Sequence, residues 1–147
     1  MEMSPEALES ALADAVPPPP AAVRAVASEL PLEGGLDPAF GTVRWRTLFC
    51  ADRTATSDMV LGVAEFGPGE SLEPHRHGPS EFYFCTAGNG IVTVDGVPHM
   101  LEPGAALFIP GDAEHGTVAG PAGLTFVYGF PCDRFAEVDY RFSAAVT

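Results

Sequence analysis

Beyond about residue 40 the chain is broken by Gly or Pro roughly every eight to twelve residues, and the runs between are short and rich in Val, Phe, Thr and Leu. Such spacing excludes helix-length patterns and dictates many short strands. Branched and aromatic side chains suit a pleated, half-buried surface, while Gly and Pro mark the reversals. Strands are predicted over 42–49, 58–66, 71–77, 80–87, 90–94, 97–101, 105–109, 115–119, 123–130 and 136–142. Asp95-Gly96, between Ile91-Val92-Thr93-Val94 and Val97-Pro98-His99-Met100, predicts a two-residue hairpin turn, because both of its central positions need positive φ. With 147 residues, 46% of them hydrophobic, the chain can bury one core. The expectation is a single all-β domain, a sandwich or small barrel.

Residues 1–38 read differently, as an N-terminal helical arm ahead of a β domain over 39–147. Ser4 and Pro5 suit the N-cap and first helical position, and Leu8, Ala11, Leu12, Ala15 and Val16 recur at helical spacing until Pro17–Pro20. A second helix is predicted from Pro20, with Val23, Val26, Ala27 and Leu30 on one stripe, ended by Pro31 and Gly34-Gly35. An arm of this kind is expected to lay its apolar stripe on the main domain or on a neighbouring subunit.

Charge and cysteine usage exclude several classes. Twenty acidic residues against seven basic give a net charge of −13, which repels phosphate backbones and anionic membranes, so neither nucleic acid nor membrane is expected as a partner. Glu2, Glu6 and Glu9 stand where a secretory signal carries basic residues, and no run is apolar enough to span a bilayer, which predicts a cytoplasmic protein. Cys50, Cys85 and Cys132 are odd in number and lack Cys-x-x-Cys spacing, so neither a disulfide framework nor a thiolate zinc site is expected.

The densest collection of metal-competent side chains lies between Gly67 and Gly88. His75 and His77 are one residue apart, so on an extended strand both rings leave the same face. Glu81 returns after the Gly78-Pro79-Ser80 turn to present a carboxylate to the same point. His115, just beyond the Pro110-Gly111-Asp112 turn, is the candidate fourth ligand. Three imidazoles and one carboxylate leave about two positions open on an octahedral ion, which suits one divalent Fe, Mn, Ni, Co or Zn better than Ca or Mg. Solvated or core histidines are the ordinary reading of each residue alone, but three of the four histidines fall on this joint spacing. His99, outside it, is expected at the surface.

At these residues the sequence resembles the cupin superfamily. Its first motif, G-x5-H-x-H-x3-E-x6-G, is met at every position by Gly69, His75, His77, Glu81 and Gly88. Its second, G-x5-P-x-G-x2-H-x3-N, is met by Gly104, Pro110 and His115, whereas Asp112 stands in place of Gly and Ala119 in place of Asn. The resemblance implies a double-stranded β-helix with the metal inside the barrel and the N-terminal arm outside it.

Period-two alternation puts Tyr83 and Cys85 on the inward face with Glu81, and Phe82 and Phe84 outward. Outward phenylalanines need cover, which predicts that the arm or a second copy, making a homodimer, sits on that sheet. Tyr83 beside a dication is a candidate general base, with a packing tyrosine as the alternative. Cys85 is expected to be a small inert wall residue. Tyr128, Tyr140, Phe66, Phe108 and Trp45 are candidates to line or plug the barrel.

An open metal site in a narrow barrel can polarise a carboxylate or carbonyl of a small-molecule substrate and acidify the adjacent C–H, which is lyase or isomerase chemistry. His75, His77, Glu81, Tyr83 and His115 together are similar to the small cupin dimethylsulfoniopropionate lyases. That resemblance implies the substrate carboxylate on the metal and a tyrosine removing the α-proton, releasing dimethyl sulfide and leaving acrylate. The same ligands holding Fe would support a dioxygenase, and a non-catalytic sensor of small ligands or metal is a third reading.

Overall fold

The computed structural model describes residues 2–15 and 20–143. Among them nine strands form one antiparallel sheet: β1 (Glu33–Gly34), β2 (Arg44–Phe49), β3 (Val60–Phe66), β4 (Ser71–Arg76), β5 (Glu81–Val94), β6 (Val97–Leu101), β7 (Ala106–Ile109), β8 (His115–Phe130) and β9 (Arg141–Phe142). Two long strands curl it. Along its first half β5 pairs with β7 and the end of β8, as in Glu81↔Ile109 and Tyr83↔Tyr128. Along its second half it pairs with β6 and the start of β8, as in Val92↔His99 and Val92↔Thr117. Two facing layers result, β1-β2-β3-β8-β5-β7 and β9-β4-β8-β5-β6, with Val60, Val92, Leu101, Ile109 and Phe126 buried between them.

The bend in β5 falls where the ladder shifts register, between Cys85 and Ala87 and between Gly88 and Gly90. Gly88 has φ of +70°, and a Cβ on it would collide with the Gly123 carbonyl. Conformation and close approach together therefore demand glycine at this position. The 95–96 hairpin turn forms as the sequence predicts, with φ of 47° at Asp95 and 80° at Gly96. Asp112, which replaces a motif glycine, also takes positive φ (63°), a conformation that aspartate tolerates better than most residues. The turn ahead of His115 is thus kept without its glycine.

The predicted strand pairs 80–87 with 90–94, and 115–119 with 123–130, are in fact continuous strands bent midway. The N-terminal region departs further. Helix α1 (Pro5–Ala15) forms, with the Ser4 hydroxyl accepting from the Ala7 amide at 3.2 Å, but residues 5–11 are all exposed. The predicted second helix does not form: residues 20–26 are irregular and only Ala27–Glu29 makes a turn of 3-10 helix. Val23 and Val26 are poor helix formers, and the Leu30 carbonyl is taken by Arg46 Nη1 at 2.7 Å, which fastens the segment to β2. Pro17, Pro18 and Pro19 lie outside the described residues. β1, which pairs Glu33 with Trp45, was not predicted. The predicted strand 136–142 shrinks to β9, because Phe135 and Tyr140 turn inward against the barrel mouth.

Outward Phe82 and Phe84 remain 43% and 42% exposed, as does Phe108 at 69%. The helix therefore does not cover them. Cys50, Cys85 and Cys132 are free thiols, and among the described residues no helix is long and apolar enough to cross a membrane.

Candidate metal centre

β4 and β8 bring His75 and His115 together as register partners. His77 lies one residue past the end of β4, and Glu81 opens β5 after the intervening turn. All four side chains are buried, the three imidazoles at 1% exposure and Glu81 at 5%. The ligand atoms of the imidazoles lie within 4.8 Å of one another. Glu81 Oε1 is 3.1 Å from His115 Nε2 and 3.3 Å from His77 Nε2.

Each ring is fixed from behind by a main-chain oxygen. Nδ1 of His75 is 2.7 Å from the Glu73 carbonyl, that of His77 is 2.8 Å from Pro79, and that of His115 is 2.9 Å from Ala113. A carbonyl can only accept, so each Nδ1 carries a proton and donates it. In a neutral ring Nε2 is then a bare lone pair, and these lone pairs converge with a carboxylate. Buried lone pairs facing one another and an anion repel unless protons or a cation stand between them. His77 Nε2 makes no hydrogen bond of normal geometry. A main-chain carbonyl behind each ring is also how proteins orient histidines toward a metal. The donor set therefore fits a divalent transition metal.

Electrostatics agree. Burial, reinforced by His115, pushes the His75 pKa down from 6.5 to about 4, so this ring is neutral and ready to ligate at neutral pH. For Glu81, burial pushes the pKa up, but the adjacent His115 and His77 rings outweigh it and hold the carboxylate ionised. At His77 burial is likewise outweighed, by Glu81, and the pKa rises. The unfolded chain protonates His75 below about 6.5 and the fold only near 4. His75 thus destabilises the metal-free fold progressively as pH falls from 6.5 to about 4, by up to about 3 kcal/mol, and costs nothing above 6.5. His77 acts in the opposite sense, its stabilising contribution being present below 6.5 and lost as pH rises through its folded value. An NMR titration of metal-free protein is expected to find His75 neutral down to about pH 5; a midpoint at or above 6.5 contradicts this picture.

Tyr83 points inward at 1% exposure, two residues from Glu81. Its ring stacks on Phe126 (centroids 4.0 Å apart, planes at 28°), and its hydroxyl has no hydrogen-bond partner among the described residues. Burial first, then Glu81, pushes the phenol pKa well above its ordinary value, so the protein alone opposes the lowering expected beside a dication. Cys85 is buried, with its thiol toward the Ala87 carbonyl, and burial raises its pKa. Beside Glu81 and Tyr83 lies a narrow cavity of about 30 Å³ whose walls include Phe40, Trp45, Tyr128, Phe135 and Tyr140. Tyr140 packs 5.2 Å from the His75 ring and 5.3 Å from His77. Among the described residues no Lys or Arg lines this space.

Trp45, Tyr128 and Tyr140 therefore line the barrel, whereas Phe66 packs in the core and Phe108 faces solvent on β7. His99 lies on β6, apart from the cluster and half-buried. Sequence reasoning missed Phe40, Phe135 and Thr117. Thr117 could have been found, because it follows His115 by two residues on one strand and so shares its inward face.

The model of the cupin domain family matches residues 62–128. Dimethylsulfoniopropionate lyase DddW of Ruegeria pomeroyi is 58% identical over 130 residues, 88% of this chain and 84% of the relative. Among solved structures, the polyketide cyclase RemF from Streptomyces resistomycificus superposes with a TM-score of 0.70 at 24% identity, over 84% of this chain and 86% of that one. A chain from the crystal structures of the DMSP lyases RdDddP and RnDddQII gives 0.66 at 21% identity, over 78% of this chain and 62% of that one. At such identities these two likenesses speak for the fold alone.

Proposed function

This chain belongs to the cupin family, and we propose that within it the chain is a metal-dependent dimethylsulfoniopropionate lyase, with one divalent transition metal held by His75, His77, Glu81 and His115 and with Tyr83 as the base. The reading is supported by the 58% identity to DddW across nearly the whole chain. The observation that carries it is the Tyr83 hydroxyl, buried and unpartnered inside the barrel beside Glu81. An orphaned buried hydroxyl costs about 1–3 kcal/mol, and its retention points to a role during the reaction.

The metal, when bound, supplies positive charge that polarises the substrate carboxylate and favours the Tyr83 phenolate. Tyr83 oxygen takes a proton from the carbon next to the carboxylate. The C–H electron pair becomes the C=C bond, the C–S bond breaks, and its pair leaves with dimethyl sulfide, so that acrylate remains. The faces of Phe40, Trp45, Phe135 and Tyr140 suit a sulfonium, which can form cation–π contacts but offers no hydrogen to donate. With no Lys or Arg among the described lining residues, the metal is the positive charge that would hold the carboxylate. A cavity of about 30 Å³ admits little more than water, so substrate entry requires the aromatic walls to yield.

On this reading the catalytic unit spans 39–147, and a second copy covers Phe82, Phe84 and Phe108 in a homodimer, a suggestion supported by their exposure. A cytoplasmic location is in keeping with it. The test of the activity is equimolar release of dimethyl sulfide and acrylate by metal-reconstituted protein. Folded, metal-loaded protein that releases neither would overturn the assignment.

A further inference from the structure

Thr117 is buried at 1% exposure on the inward face of β8, two residues beyond His115, and its Oγ1 has no hydrogen-bond partner among the described residues. Buried hydroxyls almost always have one, and valine would fill the same space without the penalty of an unpaired polar group. The Tyr83 hydroxyl is a second such orphan in the same interior, and the Tyr83 ring lies 6.3 Å, centroid to centroid, from His115, which precedes Thr117 by two residues on β8 and shares its inward face. The orphaned Tyr128 hydroxyl lies elsewhere, toward Thr47 on β2. Two orphaned hydroxyls in one interior are one hydrogen bond short of being satisfied together.

We propose that Thr117 is a positioning residue for the reaction, its hydroxyl donating to the Tyr83 oxygen and holding that oxygen toward the substrate carbon. The Tyr83 ring is already fixed by its stack on Phe126, so the Thr117 donor settles which way the free lone pair of the oxygen faces. Thr117 then contacts neither metal nor substrate and acts through Tyr83. This inference rests on the reading of Tyr83 as the base.

The experiment compares Thr117→Val and Thr117→Ser in metal-reconstituted protein acting on dimethylsulfoniopropionate. Thr117→Val is expected to lower kcat by about 10- to 100-fold, the usual cost of a misplaced reacting group, with KM and metal per chain unchanged. Its melting temperature should be equal to or above that of the parent, since an unpaired polar atom is removed. Thr117→Ser, which keeps the donor, should recover most of the lost kcat. Full kcat in Thr117→Val, a Thr117→Ser variant as impaired as Thr117→Val, or a loss confined to KM would each overturn the inference. If Thr117→Val does not fold, Thr117→Ala carries the same expectation for kcat. Turnover retained in Tyr83→Phe would sink the base assignment itself. An inactive Tyr83→Phe beside a fully active Thr117→Val would sink only the role of Thr117.

Discussion

His77→Ala and Glu81→Ala are each expected to yield a folded chain that no longer holds a stoichiometric metal and has lost roughly 10³-fold or more in lyase activity, the equivalent of the several kcal/mol a Lewis acid supplies. The fold survives because it does not depend on the ion. Two sheet layers close over an apolar core that includes Val60, Val92, Leu101 and Ile109, all at 0–1% exposure, and the burial of that core does not require the ion. A small zinc domain, by contrast, has no core to fall back on when its metal is removed. Metal per chain, measured alongside circular dichroism, checks both halves of this expectation. An unfolded variant, or one that keeps its metal, contradicts the ligand assignment or the independence of the scaffold.

Tyr83→Phe separates chemistry from metal binding. The variant should hold as much metal as the parent and lose about 10²- to 10⁴-fold in kcat, the range for removal of a general base. Its metal-free stability should be equal to the parent's or higher by about 1 kcal/mol, because phenylalanine keeps the stack on Phe126 and removes an orphaned hydroxyl. Steady-state assays and denaturant titration read the two effects independently. Activity within a few-fold of the parent would remove Tyr83 from the mechanism and leave it a packing residue.

Much of this was legible in the sequence because two periods and a few turns govern it. Alternation along β5 places Tyr83 and Cys85 inward and Phe82 and Phe84 outward, as the burial pattern has it. Asp95-Gly96 forms its turn because positive φ admits few other residues. The convergence of His75, His77 and Glu81 follows from a strand end and a short turn, which are local matters.

What was not legible depends on long-range contacts. Residues 20–30 carry a helical stripe, but Arg46, sixteen residues beyond Leu30, supplies the partner that holds the segment on β2. Tyr140 lies in a run, 136–142, that reads as strand, and it leaves the sheet with Phe135 just before that run because the barrel mouth offers Trp45, Phe40 and the histidine rings to pack on. The direction of Phe108 is set by its pairing with Phe82 across β5 and β7, which cannot be read before the strands are ordered.

The most direct test of the central claim is elemental analysis of protein purified without an affinity tag or chelator, read as metal per chain and followed by removal and restoration of the metal with dimethyl sulfide release as the readout. One divalent transition metal ion per chain is expected, with activity lost on stripping and regained on reconstitution. Protein that binds no metal even after reconstitution, or that releases dimethyl sulfide equally well without one, would contradict the account.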